Sequence, residues 1–165
     1  MKAHFQRLGR YNAWANTRLY AAAEALSDAD YRADCGAFFG SVHGTLNHIM
    51  VADLIWAARI RGAPNPPFGL DHILHEDHAE LTAARRVLDA DLIALTDELD
   101  ETRIAANFTY CTVTGDRRVT EPLAPALAHL FNHQTHHRGQ IHALLTRLTG
   151  SAPALDLIFF QRETG

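Results

Sequence analysis

The sequence predicts an all-α protein: a four-helix bundle with a short β-hairpin before its last helix. Three observations lead there. Four long stretches repeat apolar residues at steps of three and four, the period of one helix face. Only one segment, Phe108-Thr109-Tyr110-Cys111-Thr112-Val113-Thr114, is β-branched and aromatic, and Gly115-Asp116 follows it as a turn signal. There are no internal repeats, and 165 residues fit a single domain, 1–165, large enough to bury a core without staples.

In the first helix, roughly residues 2–26, Phe5, Leu8, Ala15, Leu19, Ala22 and Leu26 recur at helical steps beside Tyr11 and Trp14. Ser27 with Asp30 three residues on reads as a helix start, followed by a short turn through Tyr31. Cys35 to Gly40 is a connector. Ser41 is the N-cap of a second long helix to about Arg61, which Gly62-Ala63-Pro64-Asn65-Pro66-Pro67 stops. The third helix is expected over Asp71 to Leu99. Leu74, Leu81, Leu88 and Leu95 repeat there every seven residues, with His78, Arg85, Leu92 and Leu99 alongside. The hairpin returns through Arg117-Arg118-Val119-Thr120. Thr120 is expected to cap the fourth helix, with Pro122 in its first turn and its end near Leu148. The apolar tail Ala154 to Phe160 packs back on the bundle.

Composition narrows the function. The net charge of −4 argues against nucleic-acid binding, which needs clustered Lys and Arg facing phosphates. No run has the length of a membrane span, and Met1 to Arg7 contains no apolar signal core. The two cysteines, Cys35 and Cys111, form neither a disulfide framework nor a C-x-x-C pair, so a reducing cytoplasm is the expected location. A small-molecule substrate is the expected partner, with no nucleic acid and no membrane.

The eleven histidines are the unusual feature. His133 and His137, four residues apart, lie one above the other on a helix, close enough for both imidazoles to reach one metal ion. They fall on the stripe Leu123, Leu127, Leu130, Ile141 and Leu144, where core residues are expected. Burying polar groups there is costly without partners, and a metal supplies one. A third ligand must come from another helix. His4, His43, His48, His72, His75 and His78 are available, and His48, at mid-helix, is best placed. Spacing alone leaves it equally a hydrogen-bonded core histidine, and it leaves His43 on the wetter first turn.

Asn132-His133 followed by His136-His137-Arg138-Gly139-Gln140 resembles the signature of the DinB family, the DinB/YfiT-like metalloproteins. Tyr11-Asn12-Ala13-Trp14-Ala15-Asn16 resembles the family's first-helix motif, and Ser41 to Asp53, ending at Trp56, its second. Gly115 and Asp156 also fall in the family's pattern. The H-x-x-x-H-R-G-Q piece is the specific part, and together the pieces span nearly the whole chain. The resemblance implies a four-helix bundle holding one divalent metal on His48, His133 and His137. Three neutral imidazoles suit zinc, nickel, iron or copper and leave positions open for water or substrate. A water or a thiol at such a site would be held towards its anion.

Around these ligands, His129 and His136 are candidates for supporting hydrogen bonds, against simple exposure. Arg138 is a candidate to hold an anionic substrate or to pair with Asp53, against a surface position. His72, His75 and His78 with Asp71 read as the start of an exposed charged helix rather than a second metal site. Trp14 and Trp56 read as core or interface residues, and nothing near Cys111 in sequence would depress its pKa.

Two classes of function follow. By resemblance, the first is a metal-dependent enzyme that activates a low-molecular-weight thiol, as co-substrate, for S-transfer to an electrophile. The second is a non-catalytic metal-binding protein associated with damage or stress. A metal-water hydrolase is a weaker third, because no Glu-x-x-His general base adjoins the ligands. The apolar surface left on the first two long helices suggests a homodimer.

Overall fold

A computed structural model describes all residues 1–165. The elements in chain order are α1 (Lys2–Glu24), α2 (Asp28–Arg32), α3 (Val42–Arg61), α4 (His78–Glu98), α5 (Glu101–Ala105), β1 (Asn107–Cys111), β2 (Arg118–Pro122), α6 (Leu123–Thr149) and α7 (Leu157–Thr164). The four long helices α1, α3, α4 and α6 form the bundle. Each of α1 and α3 packs against both α4 and α6, which leaves α1 opposite α3 and α4 opposite α6. Two of the three connections therefore cross a diagonal. These are the ones that carry extra structure: α2 between α1 and α3, and α5 with the hairpin between α4 and α6.

Local chemistry explains most boundaries. Ser27, Ser41, Asp77 and Asp100 each accept a hydrogen bond from a backbone N–H in the first turn of the following helix. The α3 and α6 helices end on Gly62 and Gly150, both left-handed at φ 71° and 80°, where a side chain would be strained. The hairpin is antiparallel, pairing Asn107 with Pro122 through Cys111 with Arg118. One core cluster runs through the bundle, drawing on Leu19, Tyr20, Leu46, Ile49, Leu81, Leu88, Leu92, Leu95, Leu127, Leu130 and Ile141. The heptad leucines of α4 are thus core, as their spacing predicts.

Three expectations need correction. The third long helix begins at His78, not Asp71; residues 63–77 form an irregular segment that folds over α3, and the side chain of Asp77 supplies the cap. His72 and His75 are therefore not on a helix. Thr120 does not cap α6, because it belongs to β2, where its Oγ1 bonds Thr109 Oγ1 at 2.8 Å. The α6 helix starts one residue after Pro122, and its Leu123 N–H donates to Ala106 O. His43 is buried, not wet, with Nε2 3.1 Å from His75 O. Both tryptophans pack within the chain: Trp14 against Tyr11 and Phe160, Trp56 against Tyr110 and His129. No helix is long and apolar enough to cross a membrane.

Candidate metal centre

The second turn of α3 and the middle of α6 face each other, and the three predicted histidines meet there. One ring nitrogen from each of His48, His133 and His137 lies within 4.8 Å of the other two. His48 Nε2 and His133 Nε2 are 3.2 Å apart. Two imidazole nitrogens on one tetrahedral ion, each about 2.0–2.1 Å from it, stand about 3.3 Å apart, so this pair already has a chelating separation.

The far side of each ring decides which nitrogen faces inward. His48 Nδ1 lies 2.8 Å from Leu70 O, an acceptor, so Nδ1 carries the proton and Nε2 presents its lone pair. His137 Nδ1 lies 2.8 Å from Gln140 Oε1, which produces the same tautomer. His133 Nδ1 is buried without a partner, so the protein does not fix the tautomer of this ring. The irregular 63–77 segment thus has a purpose at the site, since its Leu70 carbonyl orients a ring on α3.

Burial keeps the cluster neutral. Desolvation lowers the pKa of His48. Desolvation, together with the neighbouring imidazoles His137 and His48, brings His133 down to about 3. Desolvation brings His137 down to about 4, against the opposing effect of the hydrogen bond that its Nδ1 donates to Gln140 Oε1. Three neutral imidazoles are the form that binds a metal. Phe39 stacks on the His48 ring at 3.6 Å between centroids and meets His137 edge-on. It reaches there because residue 44 is glycine: a Cβ at Gly44 would stand 2.2 Å from Phe39 O. The donor set, its separation and the tautomers of His48 and His137 fit a metal ion.

The remaining candidates are placed differently. His129 and His136 are exposed, with rings 5.8 Å from His133 and 4.8 Å from His137. His129 makes no hydrogen bond to the cluster, whereas His136 Nε2 lies 3.3 Å from Gln140 Nε2. Arg138 is not on the surface: it is buried and turned away from the three histidines. It donates to Asn12 and Gln134, and more weakly to Asn16 at 3.3 Å and Thr135 at 3.3 Å. Asp53 does not pair with it directly. Its partner is Arg85, at 2.6 Å, and Gln134 Nε2 also donates to it. Arg85 lies 2.9 Å from Asp89, which also accepts from Asn12 and Asn16. Burial raises the Asp53 carboxyl to about 6, still below neutrality, with Arg85 opposing the shift. Two arginines and two aspartates thus balance one another inside the bundle.

The sequence patterns assign no role to Gln134, Gln140, Asn12 or Asn16, although the last three stand in the quoted motifs. A signal was present. Asn12 and Asn16 are polar at i and i+4 on the buried face of α1, and Arg85 interrupts a leucine seam. Such residues inside an apolar stripe imply mutual partners.

The chain is similar to known proteins in sequence and in fold. The chain is 26% identical over 156 residues to Protein DinB of Bacillus subtilis (strain 168), covering 90% of this chain and 87% of that protein. In fold it is similar to YfiT from Bacillus subtilis, described as "a probable metal-dependent hydrolase with an unusual four-helix bundle topology". That likeness has a TM-score of 0.69 at 16% identity, over 92% of this chain and 91% of the other. The DinB family model matches residues 1–164, nearly end to end, and the chain belongs to the DinB family.

Proposed function

We propose that this protein is a metal-dependent enzyme in which His48, His133 and His137 hold one divalent ion, and that its nucleophile is a low-molecular-weight thiol transferred to an electrophile. One observation carries the reading: three imidazole nitrogens converge within 4.8 Å, with the outer nitrogens of His48 and His137 engaged by Leu70 O and Gln140. When bound, an ion on three such ligands supplies Lewis acidity that favours the thiolate over a thiol of ordinary pKa about 8.5.

The chain's own residues do the rest. Leu70 O and Gln140 aim two lone pairs inward, and Phe39 shields one face of His48 from water. Asp53, Gln134 and Arg138 fasten α6 to its neighbours beside His133 and His137. No carboxylate hydrogen-bonds to any of the three histidines. That favours a nucleophile that needs no strong base, since a few per cent of a thiol is ionised at neutral pH. A metal-dependent hydrolase is the second reading, favoured by the description of YfiT.

The first test is elemental analysis of untagged protein. His137→Ala should lose most of its metal and His136→Ala should keep it; equal losses with intact folds would remove the ligand assignment. The second is rate against pH for metal-loaded, metal-stripped and His48→Ala protein, with a thiol panel including glutathione and a panel of ester and amide substrates. Metal-dependent thiol transfer supports the first reading and metal-dependent hydrolysis the second. Identical profiles for all three proteins would leave a non-catalytic metal binder.

A further inference from the structure

Five charged residues of this chain are buried: Asp53, Arg59, Arg85, Asp89 and Arg138. Four of them belong to the network at the bundle centre. Arg59 is the exception. It is 8% exposed, and its one protein hydrogen bond runs from Nε to Asn65 Oδ1 at 3.2 Å. No carboxylate stands within ion-pairing distance of it. The nearby carboxylate of Glu121 is engaged by the Tyr110 hydroxyl at 2.9 Å. Burying an unpaired cation is costly, and desolvation accordingly lowers the Arg59 pKa.

The guanidinium is held between two aromatic rings, 4.8 Å from the Trp56 centroid and 4.6 Å from that of Tyr110. Cation–π attraction to these rings offsets part of the burial cost. Stacking uses the flat faces of the group and leaves its outer edge, Nη1 and Nη2, without an acceptor. That side chain lines a cleft of about 400 Å³ between the end of α3 and the hairpin. Asn65 fixes the rim by donating to Cys111 O and Thr112 O as well as accepting from Arg59. Arg118, across β1 from Arg59, is the second cation of the lining; it is exposed and has no ion pair of its own. None of the nine lining residues is acidic, in a chain whose net charge is −4.

We propose that this cleft is a binding site for a small-molecule anion, the carboxylate or phosphate of a metabolite, gripped by the free edge of Arg59, with Arg118 adding a second positive charge to the lining. A planar guanidinium with two parallel donors matches either group bidentately, and the flanking rings hold it ready without loss of rotamer freedom on binding. The site is separate from the histidine cluster. Arg59 lies eleven residues beyond His48 on the same helix, about 16 Å along the axis. The proposal therefore stands independently of the reaction at the metal centre.

The test is titration of the full-length, zinc-loaded protein with inorganic phosphate and, separately, with succinate, following the Trp56 indole and Tyr110 resonances by NMR. At least one anion should give saturable shifts there, and the one that saturates identifies the group preferred. Arg59→Lys keeps the charge and loses the fork, so affinity should fall at least about tenfold. Arg118→Met should weaken binding a few-fold. Arg86→Met, an exposed arginine elsewhere on α4, should leave it unchanged, and so should His137→Ala, which separates this site from any anion at the metal. Absence of saturable shifts with both anions overturns the proposal, as does undiminished binding by Arg59→Lys or equal weakening by Arg86→Met. If Arg59→Lys does not fold, unchanged affinity in Arg118→Met overturns it instead.

Discussion

Removing the acceptor behind one ligand tests whether the outer hydrogen bonds of the cluster matter for metal affinity. Of the two rings with fixed tautomers, His48 is held by a backbone carbonyl that no side-chain substitution deletes. His137 is held by Gln140 Oε1 at 2.8 Å, so Gln140→Leu removes that bond while keeping the side chain's bulk. Without the acceptor, the proton on Nδ1 loses its partner, and the ring is free to turn or to adopt the tautomer that points N–H inward. Losing such an outer partner typically lowers metal affinity about 10–100-fold. That range corresponds to about 1.4–2.7 kcal/mol, the scale of one buried hydrogen bond with a polarised donor. Competition with a chromogenic chelator measures the zinc dissociation constant of wild type, Gln140→Leu and His136→Ala. His136 lies beside Gln140 and edge-on to the His137 ring but adds no nitrogen to the cluster, so its loss should change affinity far less. Equal constants for Gln140→Leu and wild type would refute the reasoning.

Three further outcomes are expected. Gly44→Ala forces a Cβ against Phe39 O and displaces the ring that covers His48; despite the better helix propensity of alanine, it should cost about 1–3 kcal/mol in chemical denaturation. His133 and His137 titrate near 3 and 4 in the fold against about 6.5 in the unfolded chain, so the unfolded state binds more protons between those values. Stability of the metal-free protein should therefore be fully present above about pH 6.5 and fall as pH drops towards 4, and replacing both histidines by glutamine should flatten that slope in denaturation curves. Arg85→Met leaves Asp53 and Asp89 buried beside a single arginine, and should destabilise by about 3–5 kcal/mol, read from the urea midpoint.

Much of this fold was legible because its signals are local. Helix periods, serine caps and the Gly62 stop depend on a few neighbouring residues, and the four long helices with one hairpin follow from them. The misplaced start of α4 shows where that reasoning ends. Asp71 and the histidines after it look like a polar helix start, yet Leu74 N and His75 N both donate to Asn47 Oδ1 on α3. A buried side chain on another helix captured the backbone bonds that a helix from Asp71 would have used. The same kind of long-range capture hid Thr120 in a strand, through its partner Thr109.

The site divides in the same way. His133 and His137 are found from spacing alone, because four residues bring two rings to one face. His48 required family resemblance, since nothing local to α3 says which element lies opposite. What neither signal supplies is the reason α6 presents those two rings at the correct rotation. Gln134 and Arg138 each follow a predicted ligand by one residue, and so point about 100° away, into the bundle centre. There they meet Asp53 of α3 and Asn12 of α1, and through Asp89 and Arg85 they reach α4. All four helices are thus tied at the level of the histidines by groups that are satisfied only in one register. A sliding or rotation of α6 that spoiled the cluster would also strand two buried arginines and two buried aspartates. The polar residues that interrupt the apolar stripes of this sequence therefore specify the position of the histidines, at a cost in core burial that a purely apolar bundle would not bear.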